Sequence, residues 1–254
     1  MFNDWLKIGS LTIHGYGFMI AVGILFAFFL GERQAKKHGL EPNEVDNIIF
    51  VCLVVGFLGS KITFVLTNWN AFLKNPMAYL GPDGWVVYGG ILGGILGGWL
   101  WCRYKKLDFK AYANLLFPEV ALAQGFGRIG CFFAGCCYGK ETTGFGIVFP
   151  EGSLSPSGVK LIPTQLISSF GDFVLFYLLY RAYEDEKTRD DVTALYLIGY
   201  SVGRFIIEFF RGDEARGFIG PLSTSQFIAI FMCAAGIILL IMNHKKKDLK
   251  PAGV

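Results

Sequence analysis

Asn47-Ile48-Ile49-Phe50-Val51-Cys52-Leu53-Val54-Val55-Gly56-Phe57-Leu58-Gly59-Ser60-Lys61-Ile62-Thr63-Phe64-Val65-Leu66 carries a single charge, Lys61. At about 1.5 Å of rise per residue, a helix of this length crosses the ~30 Å hydrocarbon core of a bilayer. Six more apolar segments flank it: Leu11–Gly31, Trp85–Cys102, Tyr112–Phe133, Leu166–Ala182, Val192–Phe210 and Leu222–Asn243. The expectation is an all-α, polytopic membrane protein of about seven spans around a lipid-binding cavity, with residues 1–254 as one integral membrane domain. The fourth segment contains Pro118, Arg128 and several glycines, so a broken helix lining a cavity is expected there.

Composition agrees. Of 254 residues 53% are hydrophobic and 17% charged, below the ~25% charged of soluble domains. A net charge of +3, with no basic stripe interleaved with aromatics, excludes a nucleic-acid partner. Met1–Ser10 lacks a basic n-region and no small-residue cleavage site follows, so the first apolar run reads as a retained span.

The loops set an orientation. Arg33, Lys36 and Lys37, then Arg103, Lys105, Lys106 and Lys110, then Arg181, Lys187 and Arg189, then Lys245, Lys246, Lys247 and Lys250 fall on one side of alternating spans. Lys7, Lys74, Lys140, Lys160, Arg211 and Arg216 fall on the other. Positive residues mark the cytoplasmic side. The N-terminus is therefore expected outside, the C-terminus in the cytoplasm, and the long loop over residues 138–165 outside.

Lys61, Arg128 and Arg204, with Glu119, Asp172 and Glu208, lie within apolar segments. An ionisable group at that depth costs at least ~2.5–3.5 kcal/mol and points to function. Lys61 also reads as a snorkelling side chain. Arg204 and Glu208 also read as an i,i+4 pair on one helix face. Arg128 lies in Gly125-Phe126-Gly127-Arg128-Ile129-Gly130, where missing side chains let a ligand approach the backbone. A guanidinium inside a membrane matches a lipid phosphate in bidentate geometry, and two arginines on different helices form a clamp.

Glycines recur at four-residue spacing in Gly89-Gly90-Ile91-Leu92-Gly93-Gly94-Ile95-Leu96-Gly97-Gly98. The later pairs read as close helix packing; Gly89 and Gly90, beside Tyr88, read as room for a ligand. Cys131, Cys136 and Cys137 form a separate cluster. It has no second cysteine pair, and His14, His38 and His244 lie elsewhere, so no metal and no cofactor is expected. Packing, a disulfide or a reactive thiol site are the readings left open.

The run Gly127-Arg128-Ile129-Gly130-Cys131-Phe132-Phe133-Ala134-Gly135-Cys136-Cys137-Tyr138-Gly139 resembles the signature of the prolipoprotein diacylglyceryl transferases. So do Ile13-His14-Gly15-Tyr16-Gly17-Phe18-Met19, Asn43-Glu44-Val45-Asp46-Asn47 and Pro163-Thr164-Gln165-Leu166. Ile198-Gly199-Tyr200-Ser201-Val202-Gly203-Arg204-Phe205-Ile206-Ile207-Glu208-Phe209-Phe210-Arg211 completes a resemblance running from Leu11 to Met242. It implies a seven-span enzyme of the bacterial cytoplasmic membrane. Such an enzyme moves the diacylglyceryl group of phosphatidylglycerol to a cysteine thiol near the signal peptide of a lipoprotein precursor, releasing glycerol phosphate.

By motif position, Arg128, Arg204, Tyr88 and Glu208 would be catalytic. Arg128, Arg204, Tyr16, Gly89, Gly90 and Gly139 would contact phospholipid. Three positions depart together: Tyr88 stands where typical members carry His, Cys131 where they carry Asn, and Cys136 where they carry Glu. The alternatives left open are a thiol oxidoreductase, or a transferase to another thiol, using the cysteine cluster, and a non-catalytic lipid binder.

Overall fold

The computed structural model describes residues 3–9, 11–81, 83–213 and 217–248. Arg216 and Lys250, counted in the charge asymmetry, lie outside them, as does the Lys247 side chain. The described chain is mostly helical. A hairpin of β1 (Asp4–Ile8) and β2 (Leu11–His14) leads into α1 (Gly15–His38) and α2 (Pro42–Thr67). The short α3 (Trp69–Lys74) and α4 (Pro76–Leu80) precede α5 (Val87–Lys105) and α6 (Phe109–Ala134). After a loop holding β3 (Ile147–Val148) and β4 (Lys160–Leu161) come α7 (Thr164–Glu184) and α8 (Val192–Ile207). One 3-10 turn, Glu208–Phe210, continues α8, and the hairpin β5 (Phe218–Ile219) and β6 (Leu222–Ser223) enters α9 (Thr224–Asp248).

Each of the seven apolar segments falls on a long helix, but several expectations need correction. The chain is not all-α: Leu11–His14 and Leu222–Ser223, placed in the first and last spans, are strands. The fourth segment is one continuous helix, with Pro118 inside it. A proline removes one backbone donor and crowds the preceding turn, yet α6 absorbs it. Among the described residues four helical stretches are long and apolar enough, by length and composition, to cross a membrane: Gly15–His38, Pro42–Thr67, Arg189–Phe210 and Thr224–Lys246, with mean hydropathies of 1.7, 2.4, 1.3 and 2.4.

The surface of these helices is apolar and much of the interior is polar. Phe50 is 64% exposed, Phe170 72% and Phe231 61%, whereas Asn114, Glu119, Gln165 and Glu208 are buried. Soluble proteins rarely expose contiguous apolar surface on this scale; lipid is the solvent that suits it.

The chain divides into two compact units, Gly31–Tyr112 and the remainder. In the Gly31–Tyr112 unit, α2 lies on α5. A Cβ on Gly56 would meet the Gly90 carbonyl oxygen at 3.0 Å, and one on Gly59 the Gly89 oxygen at 2.5 Å. Backbone meets backbone there, as small-xxx-small spacing demands. Glu44 caps the other end of the pair, accepting from Trp101 Nε1 at 2.8 Å. Lys61 is not a snorkelling side chain: its Nζ donates to the carbonyls of Gly81 (2.6 Å) and Asp83 (2.7 Å) and lies 4.7 Å from the Trp85 ring centroid. It fastens the loop that leads into α5.

In the other unit α8 packs on both α7 and α9. Polar side chains tie the helices where water cannot. Ser169 Oγ on α7 donates to the Gly125 carbonyl on α6 (2.9 Å), Tyr196 OH on α8 reaches Gln124 Oε1 (2.9 Å), and Asn243 Nδ2 on α9 donates to the Asp190 carbonyl (2.9 Å). In lipid such groups have no water to fall back on.

Candidate functional site

The end of α6 builds the site. Gly135 takes φ +72°, its N–H donates to the Phe132 carbonyl (3.1 Å), and the Cys136 N–H donates to the Cys131 carbonyl (3.2 Å). This is a Schellman cap with glycine in the left-handed position. Such caps bring together the side chains four positions before and one position after the left-handed residue, commonly as an apolar contact. Here those two positions are Cys131 and Cys136. Cys137 follows at φ +59°, unusual for a residue with a Cβ. The three Sγ atoms lie within 4.8 Å of one another.

Buried side chains hold this turn. Gln165 Nε2 donates to the Cys136 carbonyl (2.7 Å) and Thr164 Oγ1 to the Cys137 carbonyl (2.8 Å). Thr164 and Gln165 are 1% exposed, so the Pro163-Thr164-Gln165-Leu166 run serves as a clamp on the cysteine turn. The backbone then threads between two neighbours. Gly139 N–H donates to the Ile162 carbonyl (2.9 Å), Lys140 N–H to Phe210 (2.8 Å), and Gly212 N–H to Tyr138 (3.1 Å). A Cβ on Gly139 would fall 2.5 Å from the Ile162 carbonyl oxygen and 2.7 Å from Ile162 Cβ. Glycine is required by this crossing.

Arg128 and Arg204 line one cavity of about 360 Å³, with Asp172, Tyr200 and Phe210 among its walls. The elements are α6, α7 and α8. The two guanidinium groups lie within electrostatic reach of each other and of Asp172. Their engagement differs. Arg204 donates to Ser225 Oγ (2.8 Å) and pairs with Glu208 (3.2 Å). Arg128, half-buried, makes no hydrogen bond or ion pair among the described residues. Its five donors face a largely apolar groove.

Glu208, 3% exposed, lies between Arg204 and Arg211, the latter at 3.6 Å. The i,i+4 pair with Arg204 is present, then, but as part of a larger network. Arg211 was counted only as a loop cation. It is buried, and its Nε donates to Asp213 (2.8 Å). Burial works against its charge, but the hydrogen bond to Asp213 and nearby negative groups hold its pKa above the ordinary guanidinium value. Its spacing of three residues from Glu208 was the available signal. Arg211 and Arg128 also lie within electrostatic reach of Cys137, and the Cys136 thiol donates to the Cys131 carbonyl (3.7 Å).

Tyr16 packs on α6: a Cβ on Gly130 would fall 3.0 Å from its carbonyl oxygen and 3.2 Å from its ring. It lies within electrostatic reach of the three cysteines and Arg128. The remainder thus brings Arg128, Arg204, Glu208, Tyr16, Gly139 and the three cysteines into neighbouring positions. Tyr88, Gly89 and Gly90 belong to the Gly31–Tyr112 unit, in the first turn of α5, where Gly89 and Gly90 face the backbone and side chains of α2. Asp172, Tyr200 and Ser225 complete the arginine environment.

The class these features define is a membrane protein with two arginines and Asp172 in one groove of largely apolar walls. Residues 4–242 match the family described as prolipoprotein diacylglyceryl transferase, and the chain belongs to that family. It is similar to phosphatidylglycerol–prolipoprotein diacylglyceryl transferase 2 of Clostridium perfringens, 43% identical over 250 residues, 97% of each chain. The corresponding Clostridium tetani transferase is 44% identical over 246 residues, covering 95% of this chain and 98% of its own. That of Clostridioides difficile is 31% identical over 239 residues, 93% of each.

Proposed function

We propose that this chain is a transferase of the bacterial cytoplasmic membrane that moves the diacylglyceryl group of phosphatidylglycerol to a cysteine thiol of a lipoprotein precursor. The observation that carries the reading is Arg128: a guanidinium without a protein partner among the described residues, in one groove with Arg204. A phosphodiester supplies two acceptor oxygens to such a fork, and apolar walls suit acyl chains.

The reaction forms an S–C bond at the glyceryl carbon and breaks the C–O bond to phosphate. The electron pair leaves on the phosphate oxygen of glycerol phosphate, and the thiol proton is lost beforehand. Charge on the departing phosphate grows along this path, so donors fixed in advance stabilise the transition state more than the ground state. Arg128 and Arg204 take that role. Glu208 orients Arg204 and separates it from Arg211. Tyr16 and Gly139 border the lipid headgroup. Tyr88→Phe tests whether the hydroxyl at the start of α5 takes part.

Seven crossings, an external N-terminus, an external 138–165 loop and a cytoplasmic C-terminus are the proposed topology, supported by the distribution of lysine and arginine. The direct test of function presents purified protein with phosphatidylglycerol and a lipoprotein-precursor peptide and follows glycerol phosphate release with thioether formation. Reductant-dependent turnover without glycerol phosphate would instead favour a thiol oxidoreductase; lipid binding with neither would favour a carrier.

A further inference from the structure

We propose that Cys131, Cys136 and Cys137 form a three-thiolate site for a thiophilic d10 cation of the zinc class, whose open fourth position receives the acceptor thiol. The proposal rests on the transferase reading for the identity of that acceptor.

Its first support is how the trio is made. The Schellman cap places Cys131 and Cys136 together through backbone geometry alone, at the two positions where an apolar contact is the usual occupant. The left-handed Cys137 then turns its side chain back to the same point. A non-glycine residue in that region costs of order 1–3 kcal/mol, and the two buried clamps from Thr164 and Gln165 hold it there. The result is three sulfur atoms from seven consecutive residues, where the spacing alone offered no second cysteine pair.

The second support is distance. With metal–sulfur bonds of about 2.3 Å, three sulfurs around one ion in a plane are about 4 Å apart, and slightly less when the ion is tetrahedral. Sγ atoms within 4.8 Å of one another need only small side-chain rotations to reach that triangle. A disulfide needs about 2.05 Å between one pair and would leave the third thiol without a role.

The third is charge and access. A divalent ion with three thiolates carries one net negative charge, and Arg128 and Arg211 lie within electrostatic reach of Cys137. Cys136 and Cys137 also line an open cavity of about 680 Å³ bordered by Gly139, Leu154 and Asp213. Three protein ligands and an accessible fourth position are the pattern of a catalytic rather than a closed structural site.

A thiol has to become a thiolate to attack carbon, and a coordinating thiol is deprotonated by the ion itself. Binding exchanges the S–H proton for a metal–sulfur bond and releases that proton to solvent. The bound thiolate then forms the S–C bond while the C–O bond to phosphate breaks, and glycerol phosphate departs with the electron pair. The thioether product has no negative charge on sulfur, binds the ion weakly and leaves. The site would supply the activation that a nucleophilic thiol otherwise needs from a general base.

Cadmium is the probe, because its thiolate complexes absorb in the ultraviolet in proportion to the number of sulfurs bound. Reduced, metal-stripped full-length protein in detergent is titrated with cadmium chloride. One ion per chain is expected, with the absorbance of three thiolates. Cys131→Ser, Cys136→Ser and Cys137→Ser should each lower affinity at least tenfold, while Cys52→Ser and Cys233→Ser leave it unchanged. Adding a short cysteine peptide should raise the absorbance by about one third, with or without phosphatidylglycerol. Equal binding by the three cluster variants and wild type would overturn the site, as would no absorbance change on adding the peptide. If metal-free protein, verified by elemental analysis, releases glycerol phosphate at the full rate, the cation proposal fails and the transferase reading stands. If the cadmium results hold but the zinc-loaded protein releases no glycerol phosphate, the transferase reading fails and the cation site stands.

Discussion

Replacing Arg128 by lysine keeps the charge and removes the fork. In the groove shared with Arg204, the Arg128 guanidinium has no protein acceptor among the described residues, so both N–H groups of one edge are available to a phosphate. Hydrogen bonds to charged groups contribute about 1.5–3 kcal/mol each, and a lysine point charge retains one of the two. The expected loss in kcat/KM is therefore about 1.5–3 kcal/mol, or roughly 10- to 150-fold at 1.4 kcal/mol per decade. Arg204 gives part of its fork to Ser225 and Glu208, so Arg204→Lys should cost less, roughly tenfold or under by the same measure. The assay is initial-rate release of labelled glycerol phosphate from phosphatidylglycerol, with unfolding temperature measured alongside. Arg128→Lys within threefold of wild type, or a larger loss for Arg204→Lys in a protein of unchanged stability, would refute bidentate capture by Arg128.

Glu208→Gln leaves Arg204 and Arg211 without their shared carboxylate; because Arg211 keeps Asp213, destabilisation of about 3 kcal/mol is expected, at the low end for a broken buried pair, read by thermal unfolding in detergent. Gly59→Ala drives a methyl to 2.5 Å from the Gly89 carbonyl oxygen and should cost about 1–3 kcal/mol through overpacking. Gly127→Ala meets nothing within 4 Å, so it should change stability by no more than about 0.5 kcal/mol while lowering transfer if lipid approaches that face of α6. A reporter active only in the cytoplasm, fused after Lys246, should be active; inactivity there with activity when fused after Lys74 would reverse the proposed orientation.

Much of the fold was legible because helices in lipid carry an overt signature: long apolar runs bounded by charge. What was not legible came from competition between backbone groups. Leu11–His14 runs into the first apolar segment, but pairing with Asp4–Ile8 satisfies its backbone and makes it a strand. Pro118 announces a break that the rest of α6 overrides. At the site, Arg128 and Arg204 stood out because charge is rare in such segments, and the cavity they share required the packing of α6, α7 and α8. Arg211 was hidden by its place just past a span, where a cation is ordinary. The meeting of the three cysteine sulfurs was hidden from spacing along the chain, because a left-handed Gly135 followed by a left-handed Cys137 is invisible to such a count.

The crossing at Tyr138–Lys140 bears on biogenesis. Its hydrogen-bond partners lie at Ile162 on one side and at Phe210 and Gly212 on the other, so the strand that carries the cysteine turn has no finished seat until α8 has left the ribosome and entered the bilayer. A chain stalled before Phe210 therefore lacks two of the hydrogen-bond partners that seat Tyr138–Lys140, and insertion of α8 becomes the step that completes the crossing.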